Sequence, residues 1–493
     1  MRSTLARACG CIVFALTLFL GLSDPLDLRS ASAQSQSWSE LAGSGTGGGI
    51  SSTPELSASP SVVCAGADEI YVVWEEDVPS LGKEIYVRRL GPSGWIEVGT
   101  GSASDGGISG TYSPSTNPKA VMTSLGLVVA WVEKAAGFAR ILTRYYDGVT
   151  WKKLDMSAPD DSLTPAPVPY SSYDSPDLAV NGAGFPMLVW AAFTPGNNAE
   201  ILFAQLSGSQ TWAGLAGSDL LPGITDTPGF SVQPAIAADA RGLPVVTWCE
   251  DLRDGSGNFE IRLLRWTGSA WAGEGGSASG GGVSGTPGIS ARPDVAVDGT
   301  GRILVSWQEQ VSARYAAYLK RYDGVRWNPL GNSATGDGAV GDIVNWPSLG
   351  LTRTDEPVIA YSGPTDVFAR TWNGSTWVGL GGSDTGGGIS NMGGLALSPA
   401  LARDSAGNVC VAWSGASPLR SCDIYLRRWI DAPIVPPTPT PRPKDHPEGD
   451  GSDGSFCSRS TARFASTTLW IAGGILLCLF LLGRLRIVSR RLL

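Results

Sequence analysis

Hydrophobic and polar residues alternate along most of this chain in short runs, and the runs recur in sets of four. One set opens with Gln233-Pro234-Ala235-Ile236-Ala237-Ala238 and continues with Pro244-Val245-Val246-Thr247-Trp248. Its third run is Glu260-Ile261-Arg262-Leu263-Leu264-Arg265-Trp266, and the fourth begins at Trp271. Short lengths, β-branched and aromatic residues, and bounding Gly, Asp and Ser predict strands. First-to-second connections such as Asp298-Gly299-Thr300-Gly301 and Asp404-Ser405-Ala406-Gly407 are tight. So are third-to-fourth connections such as Tyr146-Asp147-Gly148 and Trp372-Asn373-Gly374. Both predict antiparallel hairpins. The path from a fourth strand to the next first strand is longer and glycine-rich, at 43–51, 101–109, 276–284 and 382–390.

The sets repeat. Pro60, Pro118, Pro176, Pro234, Pro293, Pro347 and Pro399 are each followed fourteen residues later, thirteen in one case, by Trp74, Trp131, Trp190, Trp248, Trp307, Tyr361 and Trp413. A period of 52 to 59 residues marks a repeat architecture. Proline cannot donate to a sheet ladder, so a proline at one place in seven first strands implies a free edge there. Four antiparallel strands, an inner edge and a long crossover describe one blade of a propeller. Fourth-strand tryptophans at 38, 95, 151, 212, 271, 327 and 377 also number seven. The chain thus starts with a fourth strand and ends with a third. The expected fold class is all-β, a seven-bladed β-propeller closed by its N-terminal strand, since closure removes exposed edges.

The two ends add targeting. Arg2 and Arg7 precede an apolar run at 11–22, and Ala31-Ser32-Ala33 offers a cleavage site, the layout of a secretory signal. Residues 464–483 carry no charge and, at ~1.5 Å per residue, would span about 30 Å as a helix, enough to cross a bilayer. Arg484, Arg486, Arg490 and Arg491 follow, placing the C-terminus in the cytoplasm. The expected organisation is a signal peptide at 1–33, the propeller at 34–430 and a Pro/Gly-rich stalk at 431–463. A transmembrane helix at 464–483 and a basic tail at 484–493 complete it. The propeller would stand at the cell surface. Cys457, the span and the terminal arginines also resemble a processed C-terminal sorting signal. Of 493 residues only 16% are charged and the net charge is −9, an acidic balance that argues against a nucleic-acid partner.

Catalytic chemistry is hard to find in this sequence. The only histidine, His446, falls in the stalk, which removes a Ser-His-Asp triad and a histidine metal centre. No P-loop or dinucleotide fingerprint occurs, and no cofactor or metal is expected. The oxygen-rich loop 251–258 lacks EF-hand spacing and reads as solvated. Arg89, Arg144, Arg265, Arg321 and Arg428 recur at one third-strand position. They are expected to form exposed pairs with Glu76, Glu133, Glu250 and Glu309. Cys410 and Cys422 fall on consecutive strands of one repeat and are expected to form a disulfide. Cys64 and Cys249 read as small buried apolar residues. The position before each proline varies most, and Arg292, Trp346, Gln233 and Asn117 would meet at the channel mouth as a ligand-binding group.

The pattern Ser-x-Pro-x-apolar-Ala-x-Asp, then apolar-apolar-x-Trp, then acid-Ile-x-x-x-Arg, then Asp-Gly-x-x-Trp resembles the repeats of sialidase-like, BNR-type bacterial propellers. Tyr146-Asp147-Gly148-Val149-Thr150-Trp151 and Tyr322-Asp323-Gly324-Val325-Arg326-Trp327 look like Asp-box turns one residue short. In that family the turn joins third and fourth strands, away from any catalytic pocket, so the resemblance implies a fold and leaves activity open. A sialidase would need an arginine cluster, a tyrosine nucleophile and a glutamate. The expected function is therefore a non-catalytic, membrane-anchored module binding an extracellular glycan, peptide or partner protein, and not an enzyme. The alternative is a membrane-tethered sialidase-like glycoside hydrolase or lyase, favoured if Arg292 gathers with non-repeated acids and a tyrosine. A third reading is a purely structural spacer.

Overall fold

The computed structural model describes residues 37–430, except 136, 156–160, 164–171, 195–197, 254, 256, 342–343 and 418–419. The described chain is all-β and propeller-like, built of four-stranded antiparallel modules. Module one comprises Ser57–Cys64, Ile70–Val78, Gly82–Gly91 and Gly94–Glu97 in that order. The first strands of modules two to seven are Ser115–Thr123, Ser172–Val180, Phe230–Ala238, Ser290–Val297, Asn345–Leu351 and Ala396–Arg403. Modules three and four share one sheet through a single parallel pairing, Ala199 with Phe230. Each first strand packs beside that of the next module, and the first strand of module seven packs beside that of module one. The short N-terminal strand Trp38–Ser39 pairs with the last strand, Arg420–Trp429, with Trp38 opposite Trp429. The outer place in module seven is thus filled from the other end of the chain.

Among the described residues no helix is long and apolar enough to cross a membrane. The expected signal, stalk, span and tail lie outside the described residues.

The second-strand aromatics are the packing units between modules. Trp74, Trp131, Trp307 and Trp413 are fully buried, with Trp190, Trp248 and Tyr361 nearly so. A buried indole needs a partner for its N–H. Trp74, Trp248 and Trp307 donate to the glutamate two residues on, Glu76, Glu250 and Glu309, at 2.7, 3.0 and 2.8 Å. This corrects the expected pairs, because those glutamates are buried beneath the indoles rather than opposite the recurrent arginines. The register sets Glu76 across from Glu84 and Arg89 across from Tyr71. Glu133 pairs with Arg140 at 2.8 Å, while Arg144 pairs with Asp161 at 2.7 Å.

The fourth-strand tryptophans tie modules together at the outer rim. Trp95, Trp151, Trp271, Trp327, Trp377 and Trp38 donate to the carbonyls of Leu41, Val98, Leu215, Glu274, Leu330 and Leu380, each belonging to the preceding module. The acid opening several third strands holds the glycine-rich crossover. Glu260 accepts from Ser284 Oγ and from the Gly285 N–H at 2.9 Å, and Asp366 accepts from Ser390 Oγ at 2.7 Å. The crossover lies so close that a Cβ on Gly49 or Gly388 would sit 2.2 or 2.3 Å from the carbonyl oxygen of Ile424 or Val367. At Gly49 and Gly388 this close chain path accounts for the glycine. The shortened Asp-box works as an Asx turn, with Asp147 Oδ1 accepting from Val149 and Thr150 N–H at 2.9 and 2.8 Å.

The expected Cys410–Cys422 disulfide does not form. Cys410 stands opposite Arg428 and Cys422 opposite Ala416, six positions apart along the ladder. At about 3.3 Å per residue that separation is near 20 Å, whereas a disulfide needs Cα atoms within ~7 Å. All four cysteines of the described residues are thiols. Cys249 is buried and donates to the Ser290 carbonyl at 3.2 Å.

Candidate functional site

The site begins with a backbone irregularity shared by all seven modules. Each first strand shifts register at its X-Pro pair, for example between Ala291 and Asp294 against the second strand. The residue before each proline adopts a left-handed conformation, with φ between 49° and 54°. Proline removes a ladder donor, and the bulge turns the preceding side chain away from the sheet. A tryptophan at positive φ is a strained placement, and Trp346 has φ 49°.

These seven bulges face one another around a cavity of about 370 Å³. Asn117, Gln233, Arg292 and Trp346 all line it. The structure brings three of them into one chain of contacts. Gln233 Oε1 accepts from the Arg292 backbone N–H at 2.9 Å, and the Arg292 guanidinium lies 5.4 Å from the Trp346 ring centroid. Asn117 stands apart, its side-chain amide donating to Asp174 Oδ1 at 3.4 Å. Burial lowers the pKa of Arg292, and the nearby phenol of Tyr315 opposes that shift.

Further lining groups come from the position after each proline, which sequence reasoning passed over. Three of the seven are charged: Lys119, Asp177 and Asp294. Lys119 Nζ lies 3.5 Å from Asp177 Oδ1, and the Asp177 charge raises the lysine's pKa against the cost of burial. Burial, helped by the Asp177 charge, pushes the Asp294 carboxyl up to about 6. Backbone N–H groups of Leu349 and Val295, at 2.7 and 2.8 Å, and the Lys119 charge act the other way.

The same position also latches neighbouring modules. Ser61 Oγ, Asp177 Oδ2, Asp294 Oδ2 and Ser348 Oγ accept from the backbone N–H of Ala120, Ile236, Leu349 and Leu401 in the next module. A small acceptor therefore satisfies the fold. The signal available in sequence was charge where serine or alanine would serve.

Two carboxyls and a lysine in one cavity, with the Asp294 carboxyl raised, can transfer a proton and stabilise positive charge. Among the described lining residues there is one arginine, Arg292, and no tyrosine or glutamate. Among the described residues no group of three metal-ligating side chains could hold an ion.

No protein-family model matches the chain, and no curated protein sequence does. Solved structures do resemble it at low identity. A protein of unknown function from Dyadobacter fermentans aligns at 13% identity over 76% of this chain and 94% of its own, with a TM-score of 0.41. The Hadza microbial sialidase Hz136 aligns at 13% identity over 72% and 76%, TM-score 0.40. An α-L-arabinofuranosidase from Fusarium graminearum aligns at 12% identity over 63% and 91%, TM-score 0.40. Such a likeness assigns no substrate.

The expectation of a non-catalytic, non-enzymatic binding module is corrected here. The structures that resemble this chain are mostly glycoside hydrolases. Asp177 and Asp294, which no local pattern in the sequence pairs, come from modules three and five and line the same cavity.

Proposed function

We propose that this chain is a sialidase-like glycoside hydrolase, built as a seven-bladed β-propeller closed by its N-terminal strand. It is exported and tethered by the C-terminal span, with the propeller outside the cytoplasm. The observation that carries the reading is the carboxyl pair lining one cavity, Asp177 at 3.5 Å from Lys119 and Asp294 with its pKa raised to about 6. Glycoside hydrolysis needs one carboxylic acid and one carboxylate flanking the scissile bond.

Asp294 gives its proton to the glycosidic oxygen as the bond from that oxygen to the anomeric carbon breaks. Positive charge develops on the sugar ring facing the Asp177 carboxylate, which lies 3.5 Å from Lys119 Nζ. Water adds to the anomeric carbon and its proton returns to Asp294, restoring the enzyme. Trp346 offers a flat face to the sugar, while Arg292, Gln233 and Asn117 offer hydrogen bonds to its polar groups at the rim. Arg292 lines the cavity together with the non-repeated acids Asp177 and Asp294, one part of the arrangement that favours a hydrolase, whereas no tyrosine is among the described lining residues.

The test is turnover of 4-methylumbelliferyl sialoside and arabinofuranoside by the full chain and by Asp294→Asn. The amide keeps an acceptor for the Leu349 N–H but cannot donate the proton of a carboxylic acid. Fluorophore release by the wild type, reduced about 100-fold or more in the variant, supports the reading. Equal release by both proteins, or none by either, sinks it.

A further inference from the structure

Modules one and seven meet where the N-terminal strand joins the last sheet. Module seven receives its outer strand through Trp38–Ser39 alone, two residues paired with Trp429 and Arg428. The peptide chain links every other neighbouring pair of modules directly. Modules one and seven are joined by this strand and by the crossover after it, with Ile50 N–H donating to the Ile424 carbonyl at 2.6 Å and Ser51 Oγ to Asp423 at 3.0 Å. Apolar packing joins them too, with no direct chain connection from the end of one to the start of the other.

Two thiols lie across that junction. Cys64 ends the first strand of module one, and Cys410 lies on Val409–Ser417, the second strand of module seven. Both belong to one buried apolar cluster with Ile70, Val72, Ala412 and Leu426, which packs module one onto module seven. The strands that carry the two thiols pack against each other, and Cys64 raises the Cys410 thiol's pKa. Cys410 is fully buried and Cys64 half-buried. Neither side chain is needed there for polar chemistry of the cavity, and alanine or valine would fill such sites as well.

We propose that Cys64 and Cys410 form a disulfide that staples the first module to the last, bypassing the short strand pairing. The oxidant is an external disulfide delivered by thiol–disulfide exchange. The Cys64 thiolate attacks one sulfur of the external disulfide and expels a thiolate, giving a mixed disulfide at Cys64. Cys410 then loses its proton, attacks the Cys64 sulfur and expels the second thiolate. Two protein thiols lose two electrons and two protons, and one external disulfide becomes two thiols. Cys64 goes first because water reaches it. The neighbouring Cys64 thiol and burial raise the Cys410 thiol pKa well above its ordinary value, which makes it a poor first nucleophile but leaves it in place to resolve the mixed disulfide.

Such a bond would restrict the unfolded chain over nearly the whole ring, where cross-linking gains most in the chain-entropy view. The inference does not rest on hydrolase activity.

The experiment is native incubation of the purified, reduced full chain with excess oxidised glutathione, then alkylation, non-reducing peptide mapping and thermal unfolding with and without reductant. The expected result is one cross-linked peptide joining Cys64 to Cys410, with a midpoint several degrees higher when oxidised. Cys64→Ala and Cys410→Ala should each abolish both the cross-link and the shift, while Cys422→Ala keeps them. Should one of the alanine variants fail to fold, the wild-type peptide map decides alone. Alkylation of both Cys64 and Cys410 after oxidation would overturn the proposal, as would a cross-link to Cys249 or Cys422, or a cross-link without a change in midpoint.

Discussion

The Arg292 guanidinium lies 5.4 Å from the centroid of the Trp346 ring, so the bulges of two neighbouring modules meet as a cation–π pair at the cavity mouth. Both residues precede a proline and both hold φ near +50°. The bulges that disrupt each strand's ladder therefore assemble the rim.

That contact predicts coupled binding effects. Trp346→Ala should raise KM for a cleaved glycoside about 10-fold with kcat within about 2-fold, because a rim contact binds ground and transition states alike. Arg292→Ala should act in the same direction, and the double variant should cost less than the sum of the two. Steady-state kinetics on the four proteins checks this, and additive losses would mean the two side chains act independently.

Asp294 predicts a pH signature. Its pKa is raised to about 6 in the folded protein, above the ordinary aspartate value of 3.8, so the native state holds a proton that the unfolded chain has released. Stability should therefore fall as pH rises from about 4 through 6, with the slope lost in Asp294→Asn. Activity dependent on the protonated acid should decline through the same interval. Denaturant melts and rate profiles between pH 4 and 8 measure both.

Glu260 predicts a structural cost away from the site. It is buried and accepts from Gly285 N–H at 2.9 Å and Asn258 Nδ2 at 3.1 Å, besides Ser284 Oγ. Glu260→Ala would strand those donors and should cost about 2–4 kcal/mol of unfolding free energy. An unchanged urea midpoint would mean the crossover is held by something else.

Two glycines of one crossover separate backbone strain from collision. Gly386 and Gly388 both have φ of +60°, but only at Gly388 would a Cβ strike a carbonyl oxygen, that of Val367 at 2.3 Å, while at Gly386 it meets open space. Gly386→Ala should cost about 1 kcal/mol, the left-handed penalty alone. Gly388→Ala should cost at least ~2 kcal/mol, since the peptide must also shift. Equal melting temperatures for the two would remove the close approach as the reason for this glycine.

The strand pattern and the seven prolines were legible because they depend on local chemistry. Alternation sets which face is buried, proline denies a ladder bond, and Asp-Gly or Asn-Gly turns a hairpin, all within a few residues. The four rim residues were legible for a related reason, since variation at an otherwise repeated position marks what the fold does not require. Glu76 and Arg89 show where such reasoning stops. Their recurrence suggested a pair, but register along the ladder faces Glu76 with Glu84 and leaves its carboxylate to the Trp74 indole.

Sequence alone thus determined the short-strand repeat, the inner edge carrying the prolines and the residues at the mouth of the cavity. Tertiary structure alone decided that Lys119, Asp177 and Asp294, from modules two, three and five, share one cavity, and that Cys410 shares a buried cluster with Cys64 while standing six ladder positions from Cys422. Strand formation follows from neighbours along the chain. Contacts across the ring depend on how modules are arranged about the central space, which no local pattern encodes.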